Sequence, residues 1–319
     1  YRKRKSEGGG YSYRNNTTNN TFLNQNTESD NDGGNLFTRM GATWHVTRKD
    51  HLSLNGMGMF GDRNGNSTIR YTSGALNSNV LNFKRLRTTK SDNDMNMMNF
   101  DFGYKHDFSE GSNIDFTISH SRFKMDNTGI YDQITDYTDD TRESESIYQQ
   151  QQSNAHHKNW EVQLDYVNQL NKNTKIEAGY KGTLSRENSP VETYAGTTVS
   201  DMTLDEQLYN HFYYNQDIHA LYFTYGGRWN QLGYQAGLRG EYSKINTRSL
   251  AFGEIKSNVT PYKDDYFSLF PSVFLSYALP NNNELQINYT RRISRPWGGQ
   301  LNPFRNITDA TNISFGNPE

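Results

Sequence analysis

Cysteine is absent from this 319-residue chain, and proline is scarce, with only seven residues. The missing thiols exclude disulfide frameworks, thiolate metal sites and cysteine-based catalysis. Hydrophobic residues make up only 33% of the chain and the mean hydropathy is -0.96. No apolar run approaches the roughly 18 to 20 residues of a membrane-spanning helix. The composition therefore excludes both a disulfide-stabilised domain and a helical membrane protein.

Aromatic residues distinguish the chain from a disordered one. It contains 22 Tyr, 17 Phe and 4 Trp, and its formal net charge is only -2. Disordered chains are poor in aromatic residues and carry a large net charge. The sequence therefore predicts a folded protein despite its polarity.

The apolar residues recur with a period of two. Between Lys158 and Leu170 the apolar residues Trp160, Val162, Leu164 and Tyr166 alternate with the polar residues Glu161, Gln163 and Asp165. After the Asn-rich turn at 171–174 the alternation resumes at Ile176, so the two runs predict a β-hairpin. The pattern recurs around turns near 49, 110, 230 and 281. It predicts about ten strands of about 10 to 13 residues, and a short further one around Gly9 to Arg14.

The hairpins are closed by short turns at one end and joined by long polar stretches at the other. These stretches run from Asn15 to Asn35, Gly61 to Asp94, Lys124 to Lys158, Glu187 to Asn210 and Ile245 to Asp265. Short turns at one end and long loops at the other are typical of outer-membrane barrels. The sequence therefore predicts an all-β fold, a transmembrane antiparallel up-and-down β-barrel with short periplasmic turns and long extracellular loops. We treat residues 1–319 as one barrel domain in the outer membrane of a Gram-negative cell.

Alternation alone also fits a soluble β-sandwich or an all-β adhesin, in which the apolar face covers a core. Two features favour the membrane. Tyr and Trp cluster toward the strand ends, as in the aromatic girdles of barrels. Charged residues recur at inward positions, where only water or a partner makes them tolerable: Asp101, Lys105, Asp165, Glu177, Lys181, Arg239 and Glu241.

The C-terminal part carries three ordered motifs. They are an Arg-Pro element with Arg292, Arg295 and Pro296, a Leu-Asn-Pro-Phe element with Leu301, Asn302, Pro303 and Phe304, and a Gly-Asn-Pro element with Gly316, Asn317 and Pro318. Together they resemble the run found in the barrels of TonB-dependent outer-membrane receptors of the Bacteroidota type. The prolines restrict the segment, so we expect it to be ordered, with Leu301 and Phe304 as its anchors. The strand through Tyr289 and Ile293 is expected to end near Pro296.

The resemblance implies a receptor that captures a scarce nutrient and admits it when the TonB complex pulls on a plug domain. It also implies 22 strands, of which about ten or eleven are present here, so the chain resembles an internal part of such a barrel without its plug and its C-terminal strands. The implied partners are outer-membrane lipid and lipopolysaccharide, the TonB complex through the plug, and a SusD-like surface lipoprotein. No ligand-binding residue is identified, so siderophore-iron, a corrinoid, a glycan and a peptide stay open as the nutrient.

Three other functions remain as alternatives: a passive porin, a barrel with a catalytic site at its rim, and a soluble adhesin. A catalytic site would need converging acid, base or nucleophile groups. His120 with Asp115 or Ser119, and His106 with Asp107, are available, but no spacing singles them out. We therefore predict no catalytic residue, no enzyme activity and no cofactor.

The remaining polar clusters have simpler explanations. The basic run from Tyr1 to Lys5 is expected to form a short periplasmic turn, and no nucleic-acid partner is predicted. The acidic residues Asp132, Asp136, Asp139, Asp140, Glu143 and Glu145 fit no calcium-binding loop and predict a solvated loop. His156 and His157 are adjacent on a strand and point to opposite faces, so no metal site is predicted.

Overall fold

The computed structural model describes residues 1–76, 78, 80–139, 141–304 and 314–317. Twelve strands are present in these ranges. They are β1 (Arg2–Asn16), β2 (Thr21–His45), β3 (Asp50–Ala75), β4 (Leu81–Ser109), β5 (Ser112–Tyr137), β6 (Glu145–Asn171), β7 (Thr174–Gly196), β8 (Thr203–Leu204), β9 (Asn210–Trp229), β10 (Leu232–Leu250), β11 (Tyr262–Ala278) and β12 (Glu284–Thr290). The helical elements are a 3-10 turn, Glu206–Leu208, and the single-turn helix α1 (Gly298–Leu301). None of the helices in the described ranges has the length and apolar character needed to cross a membrane.

Each long strand pairs antiparallel with the strand before it and the strand after it, in the order β1 to β7 and then β9 to β12. The two-residue strand β8 pairs only with β7. This up-and-down sheet confirms the predicted all-β class and the eleven strands expected from the alternation. The sheet is open, because β1 and β12 form its edges and do not pair with each other in the described ranges.

Several of the hairpin turns contain a residue in the left-handed region of backbone conformation, where φ is positive. Gly111 between β4 and β5 has a φ of 74°, Asn230 between β9 and β10 has 53°, and Asn281 between β11 and β12 has 59°. Glycine adopts this region without steric cost, and asparagine is the next most tolerant residue. The short turns therefore follow directly from the Gly and Asn residues at these places.

The five polar stretches expected to be long loops are mostly strand. Strand β4 has 29 residues and begins at Leu81, well inside the stretch from Gly61 to Asp94. At about 3.3 Å per residue such a strand is roughly 95 Å long, several times what a bilayer requires. The true connections are much shorter, at residues 17–20, 76–80, 138–144, 197–209 and 251–261. The prediction of long loops was wrong because extended polar strands pair by backbone bonds, which need no apolar side chains.

Exposed apolar side chains lie mainly in the half of each strand next to the short turns. On β4 they are Met98, Phe100, Phe102 and Phe108, whereas the preceding part of the strand exposes Leu86 together with the charged residues Lys90 and Asp94. We call this zone the lipid band: residues 36–60, 96–121, 160–184, 218–242 and 266–289. The rest of each strand, at residues 2–35, 61–95, 122–159, 185–217 and 243–265, is its extension. A band of about 10 to 14 residues on each of the strands from β2 to β11 is long enough to span a bilayer.

The basic run at the start of the chain is part of a strand. Arg2 pairs with Asn35 and Lys5 pairs with Asp32, so the run lies beside β2 at the upper edge of the lipid band. The prediction of a periplasmic turn was therefore wrong. The backbone here bonds to β2 through a run of register pairs that continues unbroken to Asn16.

Strand β12 ends at Thr290, earlier than the expected end near Pro296. The next residue, Arg291, donates its amide to the carbonyl of Pro271 on β11 at 3.2 Å. Pro271 has no N–H to return the second bond of this pair. The ladder therefore stops at Pro271, and the chain leaves the sheet there.

The position of the lipid band beside the short turns predicts the orientation of the chain. Trypsin added to intact cells should cut at Arg142 in turn 138–144 and at Lys256 in turn 251–261, since these turns lie at the extracellular end. Lys49 and Lys172, in the turns next to the band, should be cut only after the outer membrane is opened. Peptide mapping by mass spectrometry identifies the cut sites before and after the outer membrane is opened. Cleavage confined to Lys49 and Lys172 in intact cells would show that the chain has the opposite orientation.

The two faces of β6 predict opposite responses to a charge. Leu164 points outward and is 39% exposed, whereas Gln163 points inward and donates to Asp165 at 2.6 Å. Leu164→Arg should impair insertion, because Arg near the bilayer midplane costs about 2 to 4 kcal/mol. Gln163→Arg should be tolerated beside Asp165. Heat-modifiable migration on gels measures insertion, and equal damage by the two variants would refute the assignment of faces.

Candidate functional site on the inward face

The most deeply buried side chains lie on one face of the sheet, within the strand extensions. Tyr71, Thr135, Thr193, Phe212 and Ser243 are each less than 2% exposed. Register pairs place all of them on the face opposite the exposed apolar residues of the lipid band. This is the inward face, and we call the space that the strand extensions border the vestibule.

The Arg-Pro element is bound to this face by a charged network. Arg295 Nη2 donates to Glu241 Oε2 at 2.6 Å and to Ser243 Oγ at 3.1 Å, while its Nε donates to the Tyr266 hydroxyl at 3.0 Å. Arg239 Nε donates to the other Glu241 oxygen at 2.6 Å. The Glu241 and Arg295 side chains are only 10% and 16% exposed. Hydrogen bonds to charged groups are the stronger class, so this network fixes the chain after β12 against β10 and β11.

An apolar contact holds the next element. Leu301, at the end of α1, is 8% exposed and packs in a cluster with Phe212, Tyr214 and Ile245. Burial raises the pKa of the Tyr214 hydroxyl to about 12. The expectation that Leu301 anchors the segment is confirmed by this packing.

The second and third motif elements join each other through the backbone. The Gly316 amide donates to the Asn302 carbonyl at 2.7 Å, and the Asn317 amide donates to the Gln300 carbonyl at 2.9 Å. A Cβ atom on Gly316 would lie 2.5 Å from both carbonyl oxygens, so only glycine fits there. Asn302 Oδ1 accepts from Asn210 Nδ2 of β9 at 2.8 Å and from the Phe304 amide at 3.1 Å. The three elements therefore form one unit on the inward face.

The other motif residues contribute less to this unit. Arg292, Pro296 and Pro303 are exposed, and Phe304 is partly buried beside a cavity bordered by Tyr209 and Ser249. The anchor is therefore Leu301 more than Phe304. Pro318 lies outside the described residues.

The two faces of the extensions of β1 to β5 differ in charge. Every acidic side chain there points outward, where basic residues such as Lys84 and Lys90 also lie, whereas the charged residues at inward positions are all arginines. The inward arginines are Arg2, Arg4, Arg14, Arg63, Arg85 and Arg87. Guanidinium groups bind carboxylates and phosphates in a bidentate manner. This wall of the vestibule is therefore suited to an anion.

Arg63 and Arg85 donate hydrogen bonds to neutral side chains. Arg85 Nε donates to Thr135 Oγ1 at 3.0 Å, and Arg63 Nη2 donates to Asn31 Oδ1 at 3.1 Å. Arg87 is 3% exposed, lies 4.7 Å from the centre of the Tyr131 ring and donates to Gln133. Arg63 also borders a groove of about 580 Å³ with Arg2 and Arg4. The guanidinium groups of Arg63 and Arg85 are thus held in place by neutral side chains, and no carboxylate of the described residues pairs with them.

The histidine and acidic candidates do not converge. His120 points outward and stacks on Trp160 with ring centres 4.2 Å apart, whereas Asp115 and Ser119 point inward. His106 bonds to Asp50 at 2.6 Å, while Asp107 bonds to His51 at 3.1 Å. No group of three or more His, Asp or Glu that suits a metal ion occurs in the described part of the chain.

The acidic cluster is divided between elements. Asp132 and Asp136 lie on β5, Glu145 begins β6, and Asp139 lies in the turn between them. Hydrogen bonds from Arg142 lower the pKa of Asp139 to about 2. The prediction of one solvated loop therefore holds only for the turn.

Sequence reasoning did not find the partners of the motif. Glu241 was noted as an inward charge, but Ser243, Asn210 and Tyr214 were not singled out. The available signal was the period of two, which places Glu241 and Ser243 on one face of β10. Which distant segment meets that face depends on the tertiary fold.

The antiparallel sheet, its lipid band and its polar inward face define an outer-membrane β-barrel protein. The chain belongs to the outer membrane protein β-barrel family, whose model matches residues 106–319, more than half of the chain. It is therefore a protein of the Gram-negative outer membrane, as expected. No curated protein matches it.

Several solved structures are similar at low identity. The ferric citrate transporter FecA has a TM-score of 0.41 and 11% identity, over 90% of this chain and 43% of that one. The siderophore receptor PiuA from Acinetobacter baumannii has a TM-score of 0.44 and 8% identity, and the match covers 90% of this chain and 48% of that one. The open form of the ferric-catecholate import receptor Fiu from E. coli K12 has a TM-score of 0.42 and 10% identity, and the match covers 90% of this chain and 54% of that one. The chain spans about half the length of these structures.

The network around Arg295 predicts a specific effect on the motif unit. Arg295→Ala should speed hydrogen exchange at the Gly316 and Asn317 amides roughly tenfold or more, because a hydrogen bond to a charged group contributes about 1.5 to 3 kcal/mol. Arg292→Ala is the matched control, since this exposed arginine lies three residues earlier and has no ion pair in the described residues. Mass spectrometry of the detergent-solubilised protein measures exchange. Equal protection in the two variants would contradict the anchoring role.

Proposed function

We propose that the chain forms part of the wall of a receptor that takes up a scarce anionic nutrient across the outer membrane, with energy from the TonB complex. The observation that carries this proposal is the vestibule. Its strand extensions rise beyond the lipid band by about the length of the band itself, and the inward positions of β1 to β5 there bear arginines and no acid. A passive pore has no need for so tall a binding surface, whereas a receptor that concentrates a dilute ligand does.

The motif unit supports transport over passive diffusion. It places Arg295, Leu301 and Asn302 on the inward face, where they narrow the route past β9 and β10. On this proposal a plug domain closes the remaining space and carries the TonB contact. A SusD-like lipoprotein would meet the rim at turns 138–144, 197–209 and 251–261.

We infer transport rather than catalysis, because the candidate acid and base groups lie on different faces or in separate pairs. Family membership removes the soluble adhesin from the alternatives. A passive porin remains as the alternative function. It differs from the proposed receptor because a porin admits its solutes without energy.

The test compares uptake with and without energy. Iron chelates, corrinoids, glycans and peptides are each supplied in turn as the limiting nutrient. A strain in which the gene is deleted should fail to grow on one of them, and the full-length gene should restore growth. Loss of TonB or addition of a protonophore should abolish uptake of that nutrient. Uptake that persists without TonB would favour the porin.

A pair of double variants tests the arginine wall. Arg63→Gln with Arg85→Gln should reduce uptake at least tenfold at low nutrient concentration, since each removes a charge-assisted contact worth about 1.5 to 3 kcal/mol. Lys84→Gln with Lys90→Gln removes the same charge from the outward face of β4 and should leave uptake unchanged. Equal uptake by both double variants would contradict an anionic ligand at this wall.

A further inference from the structure

A row of basic residues crosses the outward face just above the lipid band. Lys158 on β6 pairs directly with Arg122 on β5 and with Arg186 on β7. All three side chains are exposed on the face that carries the apolar residues of the band. One register step further up, Lys124 pairs with His156 on the same face. We call Arg122, Lys158 and Arg186 the basic row.

The basic row lies next to the upper aromatic girdle. Trp160 is two residues from Lys158 toward the membrane, is 47% exposed and stacks on His120. Two residues of a strand span about 6 to 7 Å. Because outward Trp side chains lie at the headgroup level of a bilayer, the basic row lies beside the phosphates of the leaflet at the extracellular end.

The row has more positive charge than its neighbours balance. Arg186 Nη1 bonds to Asp217 at 2.5 Å. Arg122 and Lys158 have no ion pair or hydrogen bond within the described residues. Like charges on directly opposed residues of neighbouring strands are destabilising. An external anion that bridges the three strands would offset that repulsion.

We propose that the basic row binds the phosphate groups of lipopolysaccharide in the outer leaflet. Lipopolysaccharide is the lipid of that leaflet whose sugar backbone carries phosphates at the level of the headgroups. Three cations on adjacent strands match a headgroup with more than one phosphate better than the single phosphate of a phospholipid. The site is on the lipid-facing side and is therefore separate from the nutrient surface inside.

The test uses the full-length protein, purified in detergent and freed of bound lipid. Deep-rough lipopolysaccharide, the same lipid after enzymatic dephosphorylation, and phosphatidylglycerol are titrated by native mass spectrometry. The triple variant Arg122→Gln, Lys158→Gln, Arg186→Gln should bind the phosphorylated lipopolysaccharide about tenfold to hundredfold more weakly, since each cation near an anionic lipid surface contributes to binding. Dephosphorylation should weaken binding to the unmodified protein by a similar factor.

The control is the triple variant Arg70→Gln, Lys84→Gln, Lys90→Gln, which removes three outward cations from higher on the wall and should bind normally. The single variant Lys158→Gln, with an expected loss of about fivefold, serves if the triple variant fails to fold by heat-modifiable migration. Unchanged binding in the basic-row variants, or equal affinity for phosphatidylglycerol, would overturn the proposal. Because binding is measured without nutrient or TonB, its failure is distinct from failure of the proposed function.

Discussion

Inside a bilayer every backbone amide and carbonyl must find a hydrogen-bond partner within the protein, because lipid offers none. The chain meets this constraint by pairing each long strand with both neighbours, from β2 through β11. Pairing in turn fixes the period of two, so the choice of side chains divides cleanly between a face toward lipid and a face toward the interior. The same backbone pairing continues well beyond the lipid, where water could satisfy the amides, and there it builds the vestibule wall.

The interior depends on a small number of contacts that join distant parts of the sequence. Glu241 holds Arg239 from its own strand and Arg295 from the segment after β12. Leu301 completes a cluster whose other members belong to β9 and β10. A carboxylate with two guanidinium partners in a poorly exposed place is costly to disrupt from either side. The motif unit is thus an integral part of the wall.

The alternation of Trp160, Val162, Leu164 and Tyr166 was sufficient to predict the strands in the lipid band, because burial against lipid dictates side-chain type there. The extensions were missed because their side chains alternate between arginine, serine and asparagine on one face and acids on the other, which resembles loop composition. The end of β12 is set by Pro271 on the neighbouring strand β11. It could not be predicted from the pattern of residues within β12 alone. The Arg-Pro, Leu-Asn-Pro-Phe and Gly-Asn-Pro elements indicated order, but their shared contact with Glu241 and Asn210 required the fold.

The inward face of the extensions of β1 to β5 carries charge of positive sign only, whereas the outward face carries acids as well as lysines, so the electrostatic field differs between the two sides of this wall. Acids such as Asp30 and Asp92 lie on one side, and Arg63 and Arg85 lie on the other. A dissolved anion outside meets charge of both signs, whereas one that enters from above is drawn along the inside, as in other clefts lined by charge of one sign. Capture by such a wall is governed by encounter rate as well as by affinity, so added salt slows it even where the bound contacts are unchanged.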